Sequence, residues 1–237
     1  MDKGMDIRNS IFIYKKQVKD TGKNMALLVQ FVMFPMMAAI MENAIHLEDM
    51  PEHFFVGMFA VMHVGMAPLT VTVSIISEEK EKNTLRMLLL ANVRPLEYLC
   101  GIGSFVFSAC MAGGIPFGIL GGYEGKKLAA FLLIMAAGIL ASMLFGAAIG
   151  IWSKSQAAAT SVLTPVMMIF AFLPMLAMFN KTIAKVANLA WSQHIQLLMN
   201  SLEAGMAVQP KNVIAVAVNI LVAAGLFLWA YQKKGLT

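Results

Sequence analysis

Six stretches of this chain run for 18 to 26 residues without one charged side chain: 24–41, 54–77, 98–123, 128–153, 155–180 and 212–232. A helix needs about 20 apolar residues to cross a hydrocarbon core about 30 Å thick. Backbone amides in lipid must find partners inside their own structure, which leaves helices or closed barrels. The two-residue alternation of barrel strands is absent. The sequence therefore predicts an all-α polytopic membrane protein with six transmembrane helices. Composition agrees: 13% of the 237 residues are charged and 59% are hydrophobic, with a mean hydropathy of +0.74. A soluble domain carries about twice that charge.

Lys and Arg favour the cytoplasmic side of a membrane. With the N-terminus inside, thirteen of the eighteen basic residues fall on inner segments, and Lys126, Lys127, Lys181, Lys185 and Lys211 fall outside. Both termini are thus expected in the cytoplasm. The net charge of +5 expresses this topology. No nucleic-acid partner is expected, because the basic residues are not gathered on one soluble face.

The segments between the spans carry the remaining organisation of a single domain, 1–237. In 1–23, Ile7, Ile11, Tyr14 and Val18 recur at helical spacing opposite Arg8, Lys15, Lys16 and Lys19. That pattern suits an amphipathic helix in the inner interface; a solvated basic tail is the alternative. Glu42, Glu48, Asp49 and Glu52 make an acidic outer loop. In 181–211, Ile183, Val186, Ala187, Ala190, His194, Leu197 and Leu198 keep helical spacing until Gly205 and Pro210. An interfacial or partly re-entrant helical cap before the sixth span is expected there. Cys100 and Cys110 lie ten residues apart on one expected helix, about 15 Å along its axis, too far for a disulfide. No cleavable signal peptide is expected in the polar first 23 residues.

All thirteen acidic residues lie outside the charge-free runs, and the four histidines show no metal-ligand spacing. Intramembrane enzymes need acids, histidine clusters or an activated nucleophile. An ion-coupled carrier needs a carboxylate near the midplane. The chain is therefore not expected to be an enzyme or to hold a cofactor or metal, and any driving force has to be supplied by another protein. Polar side chains inside the spans include His63, Thr70, Thr160 and Thr164. An intramembrane histidine marks function or packs against a neighbouring helix. Hydroxyls near Pro165 can re-satisfy a freed carbonyl.

One charged element, 78–97, interrupts the second and third spans. It opens with Glu78, Glu79, Lys80, Glu81 and Lys82 and continues through Arg86, with Leu85, Leu88 and Leu89 on one helical face. Thr84 can cap a short helix, Asn92 can end it in a left-handed conformation, and Pro95 suits the first turn of the next helix. Glu97 follows in that turn. The pattern is equally compatible with a charged loop resting its leucines on lipid.

The run Glu79-Lys-Glu-Lys-Asn-Thr-Leu85, then Leu89-Leu-Ala-Asn-Val-Arg-Pro-Leu-Glu97 and Gly101, resembles the signature of ABC-2 type permeases, the membrane subunits of ATP-binding-cassette exporters. That pattern reads roughly Glu-Lys-Glu-x-x-Thr-Leu, then Leu-Leu-x-x-Pro-Val-Ser, a Glu and Gly-Lys. The chain departs from it at Asn92, Arg94 and Ile102. The resemblance implies a short cytoplasmic coupling helix seated in a separate ATPase, with Glu78, Glu79, Glu81, Thr84, Leu85, Leu88, Leu89, Pro95 and Glu97 contacting or orienting it. It implies two copies of that ATPase, ATP and magnesium bound there, and a second permease, identical or homologous. It implies a pathway lined by the second and fifth spans, with His63, Thr70, Thr160 and Thr164 as lining residues, and a bacterial inner (cytoplasmic) membrane location. The expected cargo is a hydrophobic or amphipathic, peptide or drug-like compound. A membrane anchor or sensor that recruits an ATPase without transport, and a sodium-export permease, are the alternatives.

Overall fold

The computed structural model describes residues 6–45 and 51–234, and among these it forms ten helices and no strand. In chain order they are α1 (Ile7–Thr21), α2 (Met25–Ala44), α3 (Phe54–Glu81), α4 (Thr84–Leu90), α5 (Pro95–Leu120), α6 (Gly125–Trp152), α7 (Gln156–Phe179), α8 (Lys181–Ala187), α9 (Trp191–Glu203) and α10 (Pro210–Lys234). Helices α2, α3, α5, α6, α7 and α10 are long and apolar enough to cross a membrane. Glu48 and Asp49 of the expected acidic loop, and the side chain of Leu89, lie outside the described residues.

Helix α3 is the axis of the bundle. Its most apolar stretch is 83% buried, against 17–39% in the other five spans. It packs on α2, α5, α6, α7 and α9. Close approach explains how one helix holds so many neighbours. A Cβ on Gly65 would lie 2.9 Å from the Phe170 carbonyl oxygen of α7, and one on Gly146 of α6 would lie 2.8 Å from that of Leu69. Without a hydrophobic drive between helices in lipid, such backbone contact supplies the packing energy. The outer faces keep large apolar side chains exposed, among them Ile119, Leu133 and Leu221, as a lipid-facing surface requires.

Helix α1 lies against α5 and presents two faces. Ile13, Gln17 and Thr21 are buried against the bundle, while Ile7, Ile11, Phe12 and Val18 stay exposed. Of the apolar stripe legible in the sequence, Ile7, Ile11 and Val18 therefore point away from the protein, while Tyr14 packs edge-on against Phe105 and its hydroxyl lies 3.0 Å from Ser108 Oγ on α5. A Cβ on Gly101 would come within 2.7 Å of Ile13 Cβ, so the glycine lets α1 seat on α5.

The 181–211 segment is two helices rather than one. Helix α8 stops at Ala187, and α9 restarts at Trp191 with Trp191 and Ile195 fully buried. His194 spans the break: its ring nitrogens lie 2.9 Å from the Asn188 carbonyl and 3.1 Å from Asn212 Oδ1 at the head of α10. The carbonyl beyond the end of α8 thereby gains a partner from α9. Helix α9 packs on α3, α6, α7 and α10, so this segment is set into the bundle.

Candidate functional site

The charge-rich element divides differently from its expected outline. Residues Glu78 to Glu81 continue α3, and only Thr84–Leu90 form the separate short helix. Thr84 is the first residue of α4. Asn83, with φ 56°, precedes it and accepts from the Met87 amide at 3.1 Å. Asn92 adopts φ 63° after the helix, and Pro95 opens α5.

Side chains on successive helical residues point about 100° apart, and the last turn of α3 uses this to reach three elements. Glu79, 6% exposed, accepts from Gln17 Nε2 at 2.8 Å and pairs with Lys16, both on α1. Lys80 Nζ donates to the Ile151 carbonyl at 2.6 Å, at the C-terminal turn of α6. Glu81 Oε2 accepts from the Gln156 amide at 2.6 Å, at the first turn of α7. A cation at a helix C-terminus and an anion at an N-terminus each complement the helix dipole and fill an unpaired backbone group. Glu78 stays on the surface, 2.5 Å from Lys82. That bond holds the Lys82 ammonium above the usual lysine range.

Glu97 does the same for α1 and α5. It is 2% exposed and accepts from the Asp6 amide at 2.8 Å, Asn9 Nδ2 at 2.7 Å and the Arg94 amide at 3.0 Å. Ser10 Oγ donates to its carbonyl at 3.0 Å. One carboxylate thus serves the N-terminal turns of two helices. The glutamates at positions 79, 81 and 97 all bond to other parts of this chain.

On α4, Leu85 is 1% exposed and Leu88 half-buried, whereas Arg86, Met87 and Leu90 face outward. Leu90 is 77% exposed, which leaves an apolar knob at the tip of the element. Sequence reasoning singled out the leucine face and missed Met87 and Leu90. Their three-residue spacing opposite Leu85 was the available signal. Lys16, Gln17 and Gln156 carried none, since their acids lie far away in sequence.

The spanning polar residues fall into two places. His63 is fully buried and donates from Nε2 to the Cys110 carbonyl at 3.0 Å; its ring sits 6.3 Å from Phe34 and 5.7 Å from Phe117, centre to centre. It pins α2, α3 and α5 together. Thr70, by contrast, is half-buried beside α7, its hydroxyl 3.6 Å from Met167 Sδ. Thr160 and Thr164 lie toward the surface of α7 and donate to the carbonyls of Gln156 and Thr160, each at 2.9 Å. Thr70, Thr160 and Thr164 therefore share the α3–α7 side, and Thr160 and Thr164 border the hollow that also holds Glu81. His63 is on another side.

At the opposite end of the bundle, Tyr123 donates to Glu203 and ties the α5–α6 turn to α9. Burial, followed by that carboxylate, pushes the phenol above its usual range, so it stays a donor.

A family model described as ABC-2 family transporter protein matches residues 16–230. No curated protein matches the chain. The match takes in all six spans, the short helix and the acidic last turn of α3 that precedes it, and the chain belongs to the ABC-2 family of transporter proteins, as a multi-pass membrane permease of an ATP-binding-cassette system.

Proposed function

We propose that this chain is the permease subunit of an ATP-driven exporter in a bacterial inner membrane, paired with a second permease and worked by two copies of a separate ATPase. ATP and magnesium bind the ATPase, and hydrolysis takes place there. The observation that carries this reading is the last turn of α3. Its side chains bond to α1, α6 and α7, and the chain then turns directly into the exposed helix α4. A force applied to α4 reaches both α3 and α7 without passing through a flexible loop.

In this reading the ATPase grips Met87 and Leu90, the apolar part of the outward face of α4. Leu85 and Leu88 support the helix from beneath. Glu79 and Glu97 fix α1 to the lever, and Glu81 passes movement to α7. Thr70, Thr160 and Thr164 lie on the α3–α7 side, where hydroxyls interrupt an apolar surface and suit the polar end of an amphipathic cargo. A hydrophobic, amphipathic, peptide or drug-like compound fits that surface.

The test is reconstitution with the partner ATPase in sealed vesicles. ATP-dependent movement of cargo supports the reading. Met87→Glu and Leu90→Glu are expected to abolish ATPase co-purification while leaving the permease folded, since exposed substitutions usually change stability by within about 0.5 kcal/mol. An ATPase that binds without any cargo moving would instead favour an anchor or sensor.

A further inference from the structure

The α4 end of the bundle carries a second feature beside the coupling surface, and of its cations only Lys80 is shared with it. Lys80, Arg86, Lys154 and Lys234 line one pocket, together with Trp152. None of the four has an ion-pair partner among the described residues. Lys80 spends one of its three donors on the Ile151 carbonyl. The neighbouring acids are committed elsewhere: Glu78 to Lys82, Glu79 to Lys16 and Gln17, and Glu81 to the Gln156 amide. Four cations gathered without a counter-charge repel one another unless an anion joins them.

Trp152 also belongs to an apolar groove between α6, α7 and α10, walled by Phe145, Ile149, Val166, Ile169 and Leu226. The groove has a volume of about 470 Å³, within the roughly 300–1,000 Å³ of ligand sites. At its mouth Trp152 stacks on Trp229, 4.7 Å between centroids and 12° between planes. Lys234 sits 5.1 Å over the first ring and Lys233 5.5 Å over the second. Aromatic rings and lysines at one level are the pattern of a membrane–water interface.

We propose that this groove and pocket form one site for an anionic diacyl phospholipid, with an acyl chain along α6, α7 and α10 and the phosphate among Lys80, Arg86, Lys154 and Lys234. A soluble anion would satisfy the pocket but leave the groove empty, and a neutral lipid would do the reverse. Only a molecule with both parts matches the shared wall at Trp152. Basic pockets between spanning helices hold anionic headgroups in this way. Binding there links the end of α6 to α4 through Lys80 and Arg86.

The test is tryptophan quenching in the purified full chain, reconstituted in phosphatidylcholine with brominated phosphatidylglycerol or brominated phosphatidylcholine added. Trp152 and Trp229 are half-exposed at the site, whereas Trp191 is fully buried, so quenching reports the groove. Phosphatidylglycerol is expected to associate at least about fivefold more strongly than phosphatidylcholine, because its phosphate carries no choline cation to repel the clustered basic residues and its net negative charge is attracted to them. The double variant Lys154→Gln, Lys234→Gln changes two exposed residues and is expected to erase that preference while keeping the quenching by phosphatidylcholine. Equal association of the two lipids, or a preference that survives the double variant, overturns the proposal. Reversal of the quenching by excess inorganic phosphate would assign the pocket to a soluble anion, and no quenching by either lipid would assign the groove to a second copy of the chain; both overturn it. The measurement uses the permease alone, so its failure leaves the transport reading untouched.

Discussion

Glu81 and Gln156 lie 75 positions apart in sequence, yet the carboxylate of one accepts a 2.6 Å hydrogen bond from the backbone amide of the other. The bond joins the end of α3 to the start of α7, and α4 follows Glu81 after only two residues. A helix N-terminus offers unpaired amides and a partial positive charge, which a carboxylate satisfies together.

Replacing Glu81 separates assembly from coupling. Glu81→Ala removes about 0.3–1 kcal/mol of charge–dipole stabilisation at this exposed position, so folding and ATPase binding are expected to persist. Transport per ATP hydrolysed is expected to fall roughly fivefold or more, the lower range of coupling energies between sites. Glu81→Gln keeps an acceptor and should fall between. Vesicle flux against phosphate release measures the ratio.

Glu79 behaves as a structural acid. In Glu79→Ala the Lys16 and Gln17 donors lose their shared acceptor in a largely buried place, at a cost of about 1–3 kcal/mol. Hydrogen exchange should show faster opening of α1 amides, with Glu79→Gln milder. An unchanged exchange rate in the alanine variant would contradict the clasp.

Glu97 holds more donors, and the effect should be larger. Glu97→Ala leaves the Asp6 and Arg94 amides and the Asn9 side chain without their shared acceptor. Thermal unfolding in detergent is expected to rank Glu97→Ala below both Glu79→Ala and Glu81→Ala.

The α3–α7 contact can be tested with a pair of glycines. Gly65→Ala places a methyl 2.9 Å from a backbone oxygen of α7 that has little freedom to withdraw, and should destabilise by about 1–3 kcal/mol. Gly57→Ala, on the same helix with nothing within 4 Å, should stabilise by about 0.5–1 kcal/mol through helix propensity. The same midpoint for both variants would contradict the close seam.

The spans were legible because lipid leaves a chain few options: an 18-to-26-residue run without charge is a helix or it is nothing stable. The ends were less so. Helix α3 continues to Glu81, beyond the charge-free run that stops at residue 77, because Glu78 pairs with Lys82 one turn on and Glu79, Lys80 and Glu81 find partners outside the helix. Those partners lie on α1, α6 and α7, and no local pattern announces a contact across 62 or 75 positions. The apolar stripe of α1 leaves Ile7, Ile11 and Val18 exposed, whereas the repeat did not point to Ser10, Ile13 and Gln17 as the face that meets the protein. The Asn188–Ala190 break before α9 was hidden because α8 and α9 keep a common helical spacing across it.

The central claim is that α4 and the first turn of α7 move as one body. Spin labels at positions 91, where the Ala91 amide still bonds the Met87 carbonyl of α4, and 157, in a variant whose Cys100 and Cys110 are replaced by Ala, report that distance by pulsed electron resonance in the assembled transporter. The account predicts one narrow distance, the same with ATP bound and after hydrolysis, and a broadened one in Glu81→Ala. A distance that changes with nucleotide in an otherwise unaltered, transport-competent complex would contradict it.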